Sequence, residues 1–384
     1  MFQQTPGAEQ RITISVLVLI AALILLPLAG ASEPEARPLN IIFFGNSLTA
    51  GNSVPQLVAA VAMTAGQAGP QVFSQTPGGA TLGDHLKNPG TDILITQSLP
   101  PGEVWDFAVI QEQSYKPSAV GTPNEFRKDA VDLFDRVRAH SPNAVCTLFE
   151  NWARNEGGWP YPPYFKIADM LADIRNSTAL ARDDINAHAG GAVAQIAPIG
   201  SAWEFNGWNQ LHQPDRVHAT ARGSLLASLV IYRRIYVDDT NDIPASSASA
   251  LLNHLGLTAV EWTELTTAAD AVDELPAPLV HIYCTGNFVP GGELKIMATG
   301  PAGATPVAFW FSPSLRAQPW PTVYGDFFLA PPLRGPIDMG VMASHNKVAY
   351  TTTVPLSPPG PYTVHLQALS GAQLTYNSFR LDVN

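Results

Sequence analysis

The chain has 384 residues, 46% of them hydrophobic and only 14% charged, with a formal net charge of -11. Its 21 Lys plus Arg form no dense basic run, which excludes the phosphate neutralisation that nucleic-acid binding requires. The length suits two domains, the 30 glycines and 34 prolines suit turn-rich extracellular sequence, and Cys146 and Cys284 make no disulfide framework, so two buried free thiols are expected.

The first segment, residues 1–31, reads as an export signal. Arg11 precedes the apolar run Ile12 to Leu28, and Ala29-Gly30-Ala31 forms an A-x-A site, so cleavage after Ala31 is expected. An uncleaved anchor is the alternative, since the run borders on bilayer length, but Pro27 just ahead of small residues favours cleavage. No Cys follows the run for lipid attachment, and no later stretch is long and apolar enough to span a membrane. The expected location is therefore periplasmic or extracellular, without a stable membrane span.

From Leu39 to about Val237, short apolar runs alternate with longer amphipathic ones, the pattern of a parallel sheet with crossover helices. Five strands are predicted: Asn40 to Phe44, Gln71 to Gln75, Phe107 to Gln111, Ala144 to Glu150 and Val193 to Pro198. The clearest helix runs from Asn124 to His140, with Phe126, Ala130, Phe134 and Val137 on one face as core packing. A further helical segment, Ala250 to Glu274, closes a domain over 38–275, and Leu275-Pro276-Ala277-Pro278 reads as a linker.

Over 279–384 the period changes. Strands are predicted at Leu279 to Cys284, Glu293 to Ala298, Pro306 to Phe311, Asp326 to Ala330, Val348 to Val354, Tyr362 to Ala368 and Thr375 to Val383. Short strands separated by Gly, Pro and Ser turns imply a β-sandwich.

Two motifs carry chemistry. Gly45-Asn46-Ser47-Leu48-Thr49 places a serine on a sharp turn at the carboxyl end of the first strand, the edge where ligands bind in open α/β sheets. An ordinary capped turn would look the same. Asp215-Arg216-Val217-His218 follows the fifth strand: a histidine could take the serine proton while the Asp three residues earlier fixes its tautomer. Singly, this could be a helix cap with a surface His; the two motifs at one sheet edge support each other.

Together these blocks resemble the first and last blocks of the SGNH (GDSL-like) serine hydrolases, over residues 39 to about 237. The α/β-hydrolase alternative fails, because Thr49 sits where G-x-S-x-G needs its second Gly. The resemblance implies a three-layer α/β/α domain, sheet order 2-1-3-4-5, with Ser47 as nucleophile, His218 as base and Asp215 as its partner. It also implies an oxyanion hole built from the backbone N–H groups of Ser47 and Gly79, in the glycine block Pro77-Gly78-Gly79-Ala80-Thr81-Leu82, and from a third donor. That donor is normally the Asn of G-x-N-D. Here Gln111-Glu112-Gln113-Ser114 replaces it, and Gln113 could donate from a stem one methylene longer. A Q-E-Q-S block after Trp105-Asp106-Phe107-Ala108-Val109-Ile110 resembles a variant branch of the superfamily. Asn46 replaces the usual Asp and removes a charge beside the serine.

Trp203 and Trp208 are candidates for an aromatic wall on which a sugar or aryl group stacks, with core packing as the other reading. Trp152 and Arg154, after the fourth strand, occupy the same edge. His212 lacks a matching acid and is expected at the surface or on substrate, and His85 on the helix after the glycine block. No zinc spacing or calcium loop is present in the sequence, and no cofactor is implied. The expected activity is hydrolysis of small acyl esters, including O-acyl groups on carbohydrate. The rival is a catalytically silent module that binds glycan or protein.

Overall fold

A computed structural model describes residues 37–118, 120–155 and 167–273, and in the C-terminal region 281–286, 289–299, 306–322, 325–341, 347–353, 362–370, 373–374 and 379–383. The export signal and the Leu275–Pro278 linker lie outside the described residues. Residues Pro38–Asn384 belong to one compact unit.

The strands β1 (Asn40–Phe44), β2 (Gln71–Gln75), β3 (Phe107–Ile110), β4 (Val145–Phe149) and β5 (Ala194–Ala197) form a parallel sheet in the order β2-β1-β3-β4-β5. Strand β1 is flanked on both sides, with Ile41 opposite Val72 and Phe107, and all five of its residues are buried. That is why Asn40-Ile41-Ile42-Phe43-Phe44 reads as a continuous apolar run after its first residue.

The side-chain alternation of β1 splits the core in two. Ile41 and Phe43 pack with α2 (Val54–Thr64), α7 (Ile199–Phe205), α8 (Ala221–Tyr236) and α10 (Ala259–Asp270). Ile42 and Phe44 face α3 (Leu82–Lys87), α4 (Pro89–Gln97), α5 (Pro123–His140) and α6 (Ile167–Ala189). A one-turn helix, α1 (Ser47–Ala50), follows β1, and α9 (Ser249–Leu255) precedes α10.

Helix α5 begins one residue before its predicted start, with Pro123 in the first turn, and buries the predicted Phe126, Ala130, Phe134 and Val137. The predicted helix Ala250 to Glu274 is instead two. Gly256 takes φ +68° and ends α9, and a reciprocal capping box between Thr258 and Glu261 opens α10. Trp262, Leu265 and Ala268 join the core of α8, so this segment completes the α/β layers.

The C-terminal region is antiparallel. Strands β6 (His281–Gly286), β7 (Glu293–Thr299) and β12 (Lys347–Thr353) form one sheet, ordered β12-β7-β6. Strands β8 (Pro306–Ser312), β11 (Arg334–Val341), β13 (Tyr362–Ser370), β14 (Gln373–Leu374) and β15 (Phe379–Val383) form a second, while β9 (Leu315–Thr322) and β10 (Gly325–Leu329) pair as a ribbon. Ile282, Ile296 and Ala298 of one sheet share a core with Phe309, Leu366 and Ala368 of the other, which is a sandwich.

Strands β9 and β11 were not expected from the sequence, because Pro319, Pro321 and Pro336 read as turns. Both lie where a missing N–H is tolerated: among the described residues β9 pairs only with β10, and β11 is an edge strand whose register shifts between Arg334 and Ile337. The same sandwich core takes in Met170, Leu171 and Ile174 of α6 and Ala153 just beyond β4. Cys146 is a free, fully buried thiol on β4, with its pKa pushed up by burial; the side chain of Cys284 lies outside the described residues.

Candidate active site

The turn after β1 is built for close approach. A Cβ on Gly45 would stand 2.5 Å from Thr49 Oγ1 and 2.7 Å from Gln111 Oε1, so any side chain there would displace that hydrogen-bonded pair. His85 lies on α3 as expected; it is buried there and places its Nε2 2.9 Å from the Gly45 carbonyl oxygen and its Nδ1 2.8 Å from Gln75 Oε1. Burial lowers its pKa, opposed by the Gly45 bond and the Asp84 charge, and the ring acts as a strut.

Asn46 uses every polar group it has. Its Oδ1 accepts from Leu48 N at 3.1 Å as the cap of α1, its Nδ2 donates to Ala80 O at 2.9 Å, and its backbone N donates to Gln111 Oε1 at 2.9 Å. An Asp could make the first of these side-chain bonds but could not donate to Ala80 O. Ser47 follows as the first residue of α1, partly exposed.

The segment after α7 folds back on itself. Gln213 N donates to His218 O at 2.7 Å, Thr220 N donates to Leu211 O at 2.8 Å, and Arg216 at the tip takes φ +65°. This turn lets Asp215 Oδ1 accept from both Val217 N and His218 N at 3.0 Å while Oδ2 lies 2.6 Å from His218 Nδ1. The other ring nitrogen, Nε2, is 2.9 Å from Ser47 Oγ.

An aspartate oxygen at Nδ1 requires the proton on Nδ1, which leaves Nε2 to accept from the serine hydroxyl. Burial pushes the Asp215 pKa up, but the His218 ring and the two backbone N–H groups outweigh it and hold it at about 2. Both side chains remain open to solvent, with 38% of His218 and 47% of Asp215 exposed, so a reactant could reach them.

Ser47, Asp215 and His218 are thus brought together in one hydroxyl–imidazole–carboxylate chain. The oxyanion candidates are placed less directly. Gly79 is exposed in a turn at φ +71°, where a side chain would be strained, and Ala80 beside it is tied to Asn46. Gln113 has its Oε1 occupied by Tyr115 N at 3.1 Å, which leaves its NH2 group as the available end.

The proposed aromatic wall is corrected. Trp152 and Trp203 are 1% and 0% exposed and stack on each other with ring centres 4.3 Å apart, so neither offers a face to substrate. Trp208 is half-buried and stacks on His212, 5.9 Å between centres. His212, expected at the surface or on substrate, is half-buried, its Nε2 lies 2.9 Å from Ala153 O, and burial lowers its pKa against that bond and the Asp215 charge. Arg154 holds Ser114 Oγ through Nε (3.0 Å) and Nη2 (2.5 Å) and lies over the Tyr115 ring.

Sequence reasoning missed Gln111 and Asn151. Gln111 Oε1 receives Asn46 N and, at 3.0 Å, Thr49 Oγ1, while Asn151 Nδ2 donates to Glu112 O at 2.8 Å. Both are polar residues at the ends of buried strands, which was the available signal. Among the described residues no cluster of three or more His, Cys, Asp or Glu could hold a metal, and no helix is long and apolar enough to cross a membrane.

No family profile matches the chain, and no curated protein matches it. Its structural neighbours are SGNH and GDSL-like hydrolases and esterases, over about half the chain and at low identity. A protein assigned to the SGNH hydrolases from Slackia heliotrinireducens is 25% identical over 51% of this chain and 98% of its own, with TM-score 0.40. A lipase/acylhydrolase from Enterococcus faecalis is 20% identical over 51% and 95%, TM-score 0.40. A DUF4886 family protein from Bacteroides uniformis is 16% identical over 62% and 98%, TM-score 0.46.

Proposed function

We propose that this chain is a serine esterase of the SGNH type, acting on small acyl esters such as O-acyl groups on carbohydrate. The observation that carries the reading is the continuous chain Ser47 Oγ to His218 Nε2 at 2.9 Å and His218 Nδ1 to Asp215 Oδ2 at 2.6 Å, open to solvent at the carboxyl edge of a parallel sheet.

Ser47 Oγ attacks the ester carbonyl while its proton passes to His218 Nε2. Asp215 stabilises the imidazolium, and the protonated ring then gives that proton to the leaving alkoxide as the carbonyl reforms. Water, deprotonated by the same nitrogen, attacks the acyl-enzyme, and the proton returns to Ser47 as the acid leaves. The N–H groups of Ser47 and Gly79 and the Gln113 amide are the proposed donors to the oxyanion.

Residues 38–275 carry this chemistry in the proposal, with 279–384 as a packed companion. Residues 1–31 act as an export signal, and the amino terminus of secreted protein should be Ser32. The decisive experiment for the activity is labelling with a fluorophosphonate together with hydrolysis of chromogenic short-chain and sugar esters. Labelling and turnover that vanish in Ser47→Ala support the reading; an unlabelled, inactive parent chain overturns it in favour of a binding module.

A further inference from the structure

Three loops must agree for the proposed oxyanion donors to converge: the Ser47 turn, the glycine block and the Gln111–Ser114 segment. Asn46 already ties the first to the second through Ala80 O and to the third through Gln111. The remaining link, between the glycine block and the third loop, is Glu112. Its side-chain Oε1 accepts from Leu82 N at 3.2 Å and from Gln113 N at 2.6 Å, and the residue is 1% exposed. Its own carbonyl is held by Asn151 Nδ2 at 2.8 Å. One buried carboxylate oxygen therefore bridges the residue after Thr81 to the backbone of Gln113.

We infer that Glu112 is a positioning residue for the proposed esterase, its carboxylate clamping the glycine block to the Gln113 loop so that the Gly79 N–H and Gln113 amide donors stay preset for the oxyanion. The inference rests on the esterase reading and extends it to a residue that touches no reactant. An acidic side chain at this buried place is costly unless it is used, and a neutral residue would suffice for packing.

The charged groups around it are few. Lys116 Nζ lies 3.7 Å from Glu112 Oε2 and is itself shared with Asp129 at 3.3 Å and Glu125 at 3.5 Å, both on α5, and Asp84 of α3 lies in the field of the same lysine. Burial raises the Glu112 pKa to about 7, against the pull of Lys116 and of the Gln113 and Leu82 N–H groups. The clamp is therefore strongest on the alkaline side, where the carboxylate is charged and its hydrogen bonds are charge-assisted.

The test compares the full-length parent with Glu112→Ala and Glu112→Gln for turnover of a chromogenic acetyl ester and for fluorophosphonate labelling. Glu112→Ala should lower kcat about 10- to 100-fold with KM within about twofold, since misplaced oxyanion donors weaken the transition state and not substrate binding. Glu112→Gln keeps an acceptor oxygen and should recover much of this. Its shortfall against the parent should be about fivefold near pH 8.5 and shrink towards parity near pH 5.5, where the parent's carboxyl is also neutral. Because both chains share His218, the ratio isolates residue 112.

A folded Glu112→Ala with parental kcat, or a loss confined to KM, overturns the inference. Should Glu112→Ala fail to fold, Glu112→Gln decides: parity at both pH values, or an equal deficit at both, overturns it. A parent chain that is neither labelled at Ser47 nor active overturns the esterase reading itself, and this inference with it.

Discussion

The indole Nε1 of Trp152 donates to the carbonyl oxygen of Val217 at 2.9 Å. Trp152 sits just beyond β4, buried against Trp203, and Val217 sits between Asp215 and His218, so the end of one strand fixes the turn that carries the acid and the imidazole. Asn155 N adds a second tie at 2.9 Å, to Arg216 O.

Replacing that indole should therefore act on the site without touching it. Trp152→Phe keeps a ring on Trp203 but removes the donor, leaving the Val217 carbonyl without this partner. A stability loss of about 1–3 kcal/mol is expected by chemical denaturation, from the broken bond and the lost ring area. Ester turnover should fall mainly in kcat; a variant with parental kcat would show that the turn is held well enough by its other bonds.

Asn46 offers the reverse test, since the sequence departs here from the Asp usual in the family it resembles. Asn46→Asp would set a carboxylate oxygen against Ala80 O in a site 2% exposed, and lose the 2.9 Å donation. The expected cost is about 1–3 kcal/mol, read as a lowered Tm. An unchanged or raised Tm at neutral pH would mean that the glycine block shifts freely to accommodate the charge.

Asp215 has its folded pKa depressed to about 2, so its favourable contribution is complete above the ordinary carboxylate range and is lost as pH falls towards that value. Asp215→Asn should lower kcat by about 10⁴-fold, because an amide NH2 facing Nδ1 favours the wrong tautomer. The difference in stability between parent and variant should shrink as pH falls below about 4, where the carboxylate of the unfolded chain is protonated. A difference that persists undiminished down to about pH 2 would contradict the bonding described.

Leu171 of α6 is 0% exposed within a core that also contains Ile296 and Phe309 of the sandwich. Leu171→Ala should cost about 2–5 kcal/mol. Because the core is common to both regions, calorimetry should show one transition shifted downward as a whole. Two separated transitions, only one of them moved, would mean that the sandwich unfolds independently.

Much of the α/β layer could be read from local pattern. Strands β1 and β2 coincide with their predicted bounds and the other three differ by a residue or two, because Gly, Pro, Asn and Asp bracket each apolar run. The error at Ala250 to Glu274 came from reading through Gly256, whose φ of +68° ends a helix. In the sandwich, prolines hid β9 and β11, since a missing N–H rules out an interior strand and says nothing against an edge.

For the site, the outcome depended on the range of the interaction. Asp215 and His218 stand three positions apart, and one turn's geometry brings carboxylate to imidazole; the sequence by itself determined that these two could pair, while Trp152 and Asn155 hold the turn in which they do. The contact of His218 with Ser47 spans 171 positions, and the burial of Trp152 and Trp203 against each other joins the segment after β4 to helix α7. Only the tertiary structure decided these, along with the clamp at Glu112. Residue type and spacing report what a side chain can do, whereas exposure and long-range distance depend on which distant segments pack over it, and one chain's local pattern carries no record of that.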